Sequence, residues 1–223
     1  MTDLAYADIA SKQNDLIRKA LEGSVFFAPY SAAAVTTLTV DSSGSPGTPT
    51  LNALPTGYKD LGYLDDNGAT FADAVATSDV TSWGKVEPTR RDITSDVSTL
   101  HIVAQETNLQ TIAAYTGVDA SAITADATTG EVAVSKPTRP KASYHRMLAI
   151  GVDLSDSGEI YVAQFWPRAG LTDKGDQVYA SGDVGIWWDT TWTAFTDPTL
   201  GYAVRFLFGG PGWQALLSSM GIS

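Results

Sequence analysis

Cysteine is absent from this 223-residue chain, which removes disulfide staples and thiolate chemistry together. Histidine is nearly absent. His101 and His145 are the only two, they lie far apart, and neither stands in the His-x-x-x-His or His-x-Glu spacing that suggests a metal site. Basic residues are few beside acidic ones: 14 Lys and Arg against 25 Asp and Glu give a net charge of −11 and a pI near 4.4. That balance argues against a surface that grips nucleic acid, and it favours solubility. Long apolar runs are missing as well. The most apolar stretch, residues 25–35, is short and interrupted by Pro29, so nothing is expected to span a membrane. Residues 1–22 have neither the basic start nor the apolar core of a signal peptide.

Catalytic motifs are also missing. No serine sits in a Gly-x-Ser-x-Gly elbow, and Gly209-Gly210-Pro211-Gly212 lacks the Gly-Lys-Ser/Thr sequel of a phosphate cradle. Asp153-x-Ser155-x-Ser157-Gly158 begins like a calcium loop, but Gln164 stands where the bidentate Glu is needed, so a hairpin turn is the better reading. No catalytic, cofactor-binding or metal-ligating residue is assigned from the sequence. No cofactor is expected, and the chain is not expected to be an enzyme.

What is present is a β pattern. Ala, Thr, Ser, Gly and Asp are abundant, and turn signals recur every eight to twelve residues. Residues 61–64 and 69–71 flank Asp65-Asp66-Asn67-Gly68, which reads as a tight hairpin turn. A strand is expected over 80–86, carrying Trp83, and a longer one over 97–105. A short helix over 107–116 follows, started by the capping spacing Thr107-x-x-Gln110 and stopped by Gly117. Further strands are read at 25–28, 35–40, 131–135, 144–153, 159–166, 175–180, 184–192 and 202–208, with 144–153 and 159–166 joined through Ser155-Asp156-Ser157-Gly158. Residues 42–55 and 167–174 read as loops, and 136–141 as a basic connector. Residues 3–22 read as an amphipathic helix with Ile9, Leu16, Ile17, Ala20 and Leu21 along a ragged stripe. The expected division is an N-terminal helical arm over 1–23, a β-sandwich or barrel over 24–210, and a C-terminal arm over 211–223.

The wording Leu61-Gly62-Tyr63-Leu64…Asn67-Gly68, Trp83…Glu87-Pro88 and Gln105-Glu106-Thr107-Asn108 resembles the major tail (tail tube) proteins of long-tailed bacteriophages, those infecting actinobacteria most closely. The resemblance runs over roughly residues 20 to 210. It implies a mainly β fold, an antiparallel sandwich or barrel of the tail tube type with a short flanking helix; an N-terminal helix is read beside it from the residues alone. It also implies a structural virion protein of the phage tail, assembled in the host cytoplasm. Such a protein forms a homo-oligomer of stacked, hexameric rings and meets a tape measure protein and a tail terminator. DNA passes through the lumen without specific binding, and an acid-lined wall would repel its phosphates. Arg90, Arg91, Lys136, Arg139 and Lys141 are then expected at subunit contacts or on the outside.

A carbohydrate-binding or adhesin-like β-sandwich is the alternative, with Trp187, Trp188 and Trp192 as a stacking platform. That reading requires exposed aromatics and a monomer. The tube reading requires buried aromatics and self-association. A different virion part of related fold, such as a tail terminator, is a third.

Overall fold

The structure is a computed structural model and describes residues 5–42, 47–136, 138–139, 141–182 and 185–222. In chain order the elements are α1 (Tyr6–Ile9), β1 (Glu22–Pro29), β2 (Thr39–Asp41), β3 (Pro49–Leu51), β4 (Lys59–Asp60), β5 (Leu64–Val80), β6 (Arg90–Ala104), α2 (Leu109–Thr116), β7 (Tyr144–Ser155), β8 (Gly158–Lys174), β9 (Trp188–Ala194), β10 (Arg205–Gly209) and α3 (Pro211–Leu216). Single 3₁₀ turns occur at Asn14–Leu16 and Ala120–Ala122. The chain is mainly antiparallel β. One eight-stranded sheet follows the order β4-β1-β7-β8-β9-β6-β5, with β10 added to β8, and β2–β3 forms a separate small hairpin.

Three central strands carry apolar residues at both parities, which is the pattern of strands buried on two faces. Val25, Phe27, Met147, Ala149 and Trp166 point one way and join Leu61, Leu100, Ile102, Ala169 and Trp192 in one core. Ala28, Leu148, Ile150, Ala163 and Phe165 point the other way and pack under Val35, Leu38 and Tyr58. The register enforces this split, because Phe27 opposes Met147 and Met147 opposes Trp166, while Phe26 opposes Leu148 and Leu148 opposes Phe165. A one-residue slip would exchange both sets.

The sheet curls so that its two ends are one run of chain. β4 pairs with β1, then the backbone crosses three residues and β5 pairs with β6. Several hydrogen bonds hold this corner. Leu61 N–H donates to the Val25 carbonyl at 3.0 Å, Tyr63 N–H to Glu106 Oε1 at 2.9 Å, Gln105 N–H to the Tyr63 carbonyl at 2.8 Å, and Asn108 Nδ2 to the Leu61 carbonyl at 3.0 Å. Gly62 has φ +88°, and a Cβ there would overlap the Glu106 carboxylate. Only glycine meets both conditions.

Several expected elements differ, each for a local reason. Asp65-Asp66-Asn67-Gly68 is not a hairpin turn. It is a bulge inside β5, between the pairs Leu64–Ala104 and Ala69–Ile102, and Gly68 supplies φ +63° within it. The strand expected at 80–86 is the end of β5 and the tip of the true hairpin, whose second strand begins at Arg90. β8 continues through the expected 167–174 loop, and Pro167 is tolerated because it falls in the bulge between His145–Ala169 and Met147–Trp166. Of the expected 35–40 strand only Thr39 and Val40 lie in a strand, and 49–51 within the expected 42–55 loop pairs back on them. The 131–135 strand is reduced to an isolated bridge between Ala125 and Val132, and 175–180 forms no strand. Part of the 42–55 segment, residues 43–46, lies outside the described residues.

The helix expected over 3–22 contracts to α1 and one 3₁₀ turn, with residues 1–4 outside the described residues. Its intended apolar stripe has nothing to pack on: Ile9, Ile17 and Leu21 are 68%, 75% and 63% exposed. A helix without a buried face is marginal in water. Residues 18–21 instead lie extended along β7, with Leu21 N–H bonded to the Val152 carbonyl and Arg18 paired with Asp153 at 3.2 Å. The cap of α2 shifts by one residue, since Asn108 accepts from Gln110 and Thr111 N–H while Thr111 Oγ1 accepts from Asn108 N–H. Gly117 ends the helix at φ +72°, as expected.

Gly62→Ala forces a strained φ and a clash at the corner, and is expected to lower stability by about 2 kcal/mol. Urea denaturation of the variant, with Gly117→Ala as a control for φ alone, checks whether the Glu106 overlap adds to the strain.

Candidate assembly interface

β9 supports β6 only from Thr99 to Ala104. Below that level, β5 and β6 leave the sheet as a two-stranded ribbon, paired from Ala72–Thr99 to Val80–Arg90. At about 3.4 Å per residue the ribbon projects about 30 Å. From Ala72 to Val80 and from Arg90 to Val97 every residue is exposed. The connecting turn, residues 81–89, is closed by Thr89 N–H to the Val80 carbonyl at 2.8 Å and by a Ser82–Thr89 hydroxyl pair at 2.9 Å.

The ribbon's two faces differ. One carries Asp73, Val75, Asp79, Asp96, Ile93 and Arg91; the other carries Ala72, Ala74, Ala76, Ser78, Val80 and Val97, with the Arg90–Asp92 pair at its far end. Trp83 and Val86 at the tip are fully exposed, and Val75, Val80 and Ile93 are at least half exposed. An isolated two-stranded ribbon is marginal in water, and its unpaired backbone is a template for another chain. Among the described residues β5 has no partner strand along its outer edge. The ribbon's own charges are largely matched within it. Arg91 forks onto Asp79 at 2.7 and 2.9 Å, Arg90 binds Asp92 at 2.8 Å, and Ser98 donates to Asp73 at 2.6 Å. The guanidinium of Arg91 holds the Asp79 carboxyl below the usual carboxylate range. Arg90 and Arg91 are therefore engaged inside the ribbon, whereas Lys136, Arg139 and Lys141 are exposed.

The histidines have separate places. His101 Nε2 meets Asp189 at 2.8 Å on the β6–β9 pair. His145 is packed into the barrel, stacked on Phe27 at 4.4 Å and edge-on to Trp192 at 5.7 Å. Among the described residues no group of three or more His, Asp or Glu could hold a metal ion. The supposed tryptophan platform is dismantled by the fold. Trp192 lies in the core, and Trp188 donates to Thr107 at 3.1 Å and packs edge-on against Tyr115. Sequence reading missed the ribbon, and Trp83 between turn-forming residues was the available signal.

The family model for the phage tail tube protein matches residues 10–194, which takes in the barrel, the ribbon and α2. The chain belongs to the phage tail tube protein family. It is accordingly a structural protein of the phage tail, and membership implies self-assembly into a tube. Within this tail tube protein, β10 and α3 lie beyond the matched region. No curated protein sequence matches. Among the described residues no helix is long and apolar enough to cross a membrane.

Two measurements follow from this geometry. In the free subunit, amide hydrogens of residues 72–80 and 90–98 are expected to exchange far faster than those of β7 and β8, because the ribbon opens without breaching a core. Equal protection would show that the ribbon is stable alone. Burial holds the His145 imidazole down to about 4, with the Asp119 carboxylate opposing the shift. The folded state thus binds its proton less readily than the unfolded chain, whose histidine titrates near 6.5. Stability is full above that pH and falls as the pH drops from about 6.5 towards 4, by about 2 kcal/mol at pH 5. His145→Phe should remove this component, seen as a smaller loss of denaturation midpoint between pH 7.5 and pH 5.

Proposed function

We propose that this tail tube protein closes into hexameric rings that stack into the conduit for DNA ejection, with the β5–β6 ribbon as a main joint between subunits. The observation that carries this reading is the ribbon itself: about 30 Å of paired strand with both faces exposed and an apolar tip. Docked on a neighbour, it gains the third strand or packed face that it lacks in the free subunit. A head-to-tail contact of this kind closes a ring when the rotation is right and leaves no dangling partner surface.

In this reading residues 24–210 form the rings together with the flanking segments that pack on them, residues 18–23 along β7 and α3 against β8 and β10. The 42–55 segment, whose described part includes β3 paired on β2, meets an adjacent ring. The tube meets a tape measure protein inside and a tail terminator at its end, and it is assembled in the host cytoplasm. The chain has no catalytic role. Its net charge of −11 suits a lumen that DNA slides through, provided that carboxylates line the wall, since repulsion decays over about 10 Å at ordinary salt. The carbohydrate-binding alternative loses its platform with Trp192 in the core.

Negative-stain microscopy of the purified protein tests the reading. Wild-type chain should give rings or tubes. A variant in which residues 74–97 are replaced by a two-residue Asn-Gly turn, joining the paired Asp73 and Ser98, should keep the barrel's circular dichroism and thermal transition but form no tubes. Tubes of normal length from the shortened variant would overturn the role of the ribbon.

A further inference from the structure

A groove of about 1070 Å³ lies beside the barrel corner, between the β5 bulge and the β1–β7 pair. It exists because β4 covers β1 only at Phe26 and Phe27, so the Glu22–Ser24 edge of β1 faces the bulge across open space. Its lining includes Glu22, Asp60, Asp65, Asp66, Glu106 and Asp153, against which stand only Arg18 and Lys19. Some of these acids are committed locally. Asp153 pairs with Arg18, Asp60 accepts from Gly62 N–H, and Glu106 accepts from Tyr63 N–H. Among the described residues Glu22 and Asp66, both exposed, make no ion pair, and one buried oxygen of Asp65 has no hydrogen-bond partner. The groove therefore presents uncompensated negative charge beside an unpaired sheet edge.

The opposite sign is concentrated elsewhere. No acid occurs between Glu131 and Asp153, a stretch that holds Lys136, Arg139, Lys141 and Arg146. Arg146 turns inward, donating to the Tyr30 carbonyl at 3.0 Å. Lys136, Arg139 and Lys141 are exposed, and among the described residues none forms an ion pair. Lys136 also approaches Lys174, whose ammonium is held below its usual value by burial first and by that like charge second. One copy cannot join the two surfaces readily. Lys141 is three residues from Tyr144, within about 10 Å of it. The groove lies at the other end of β7, around Val152, about 26 Å along the strand.

We propose that the two surfaces are halves of one joint: Lys136, Arg139 and Lys141 of one copy dock in the acidic groove of a second copy. The contact is head-to-tail along β7, and it rests on the tube reading above. Such a joint is heterologous, so each copy offers one basic and one acidic half and none is left over inside a closed or stacked assembly. Complementary charge at an exposed joint sets encounter rate and register more than it sets affinity. Assembly should therefore slow as salt rises.

Charge reversal tests the pairing. One variant carries Lys136→Glu, Arg139→Glu and Lys141→Glu; the other carries Glu22→Lys and Asp66→Lys, both exposed positions away from the corner's hydrogen bonds. Circular dichroism verifies that each folds as the wild type does. Each alone should assemble at least about tenfold more slowly by light scattering. An equimolar mixture, in which the reversed segment of one variant meets a groove whose charges now balance and the basic segment of the other meets an intact acidic groove, should assemble faster than either variant alone. If either variant alone grows tubes at the wild-type rate, or if the mixture is no faster than the variants alone, the joint is wrong while the tube reading stands. If wild-type chain forms no rings or tubes under any salt tested, the failure lies in the tube reading.

Discussion

The structure depends on one crossing. Between Asp60 and Leu64 the chain stops pairing with β1 and begins pairing with β6, and this transfer curls the sheet around the first core. The backbone groups freed in the crossing must find partners, because a buried or half-buried unpaired amide costs about 1–3 kcal/mol. Glu106 and Asn108 supply them, and both sit in the short link between β6 and α2. The start of α2 is thereby tied to the closure of the barrel, and Asn108 caps the helix and holds the corner at once.

The same crossing creates both features proposed as joints, the ribbon and the groove. Because β4 is only two residues long, it leaves part of the β1 edge open, and the groove follows. Because β5 is then committed to β6, it continues with that strand beyond the limit of β9 and becomes the ribbon. A monomeric protein would be expected to blunt such edges or cover them. Here the ribbon keeps exposed valines, an isoleucine and a fully exposed Trp83, while both of its arginines are paired internally. That combination suits a surface meant to be covered by copies of the same chain.

Charge is divided in a similar way. Buried polar groups belong to the scaffold. Asp197 is fully buried, caps the Thr199 and Leu200 amides and lies 4.0 Å from Arg146, and His145 is kept neutral among aromatic rings. The unpaired charges are on the surface, acidic at the groove and basic ahead of β7. Surface pairs within one copy contribute little to stability, so their separation by sign bears on association more than on folding.

The sequence by itself determined the fold class, the absence of the usual catalytic motifs, and the places of the central strands. Apolar residues at both parities in β1, β7 and β8, the turn at 155–158 and the Gly117 stop are all local patterns, and local patterns survive into the fold. The family resemblance was legible in the 61–108 wording for the same reason. Tertiary structure decided which edges met. Asp65-Asp66-Asn67-Gly68 has the composition of a hairpin turn, yet β6 pairs on both sides of it and makes it a bulge. Pro167 should have ended a strand, yet a bulge opposite Arg146 admits it. The helical stripe read at 3–22 keeps only α1 and one 3₁₀ turn among the described residues, because Ile9, Ile17 and Leu21 find no burial. The ribbon was invisible until β9 was seen to stop at Thr99, since the length of a neighbouring strand is a non-local fact that periodicity along one segment does not carry.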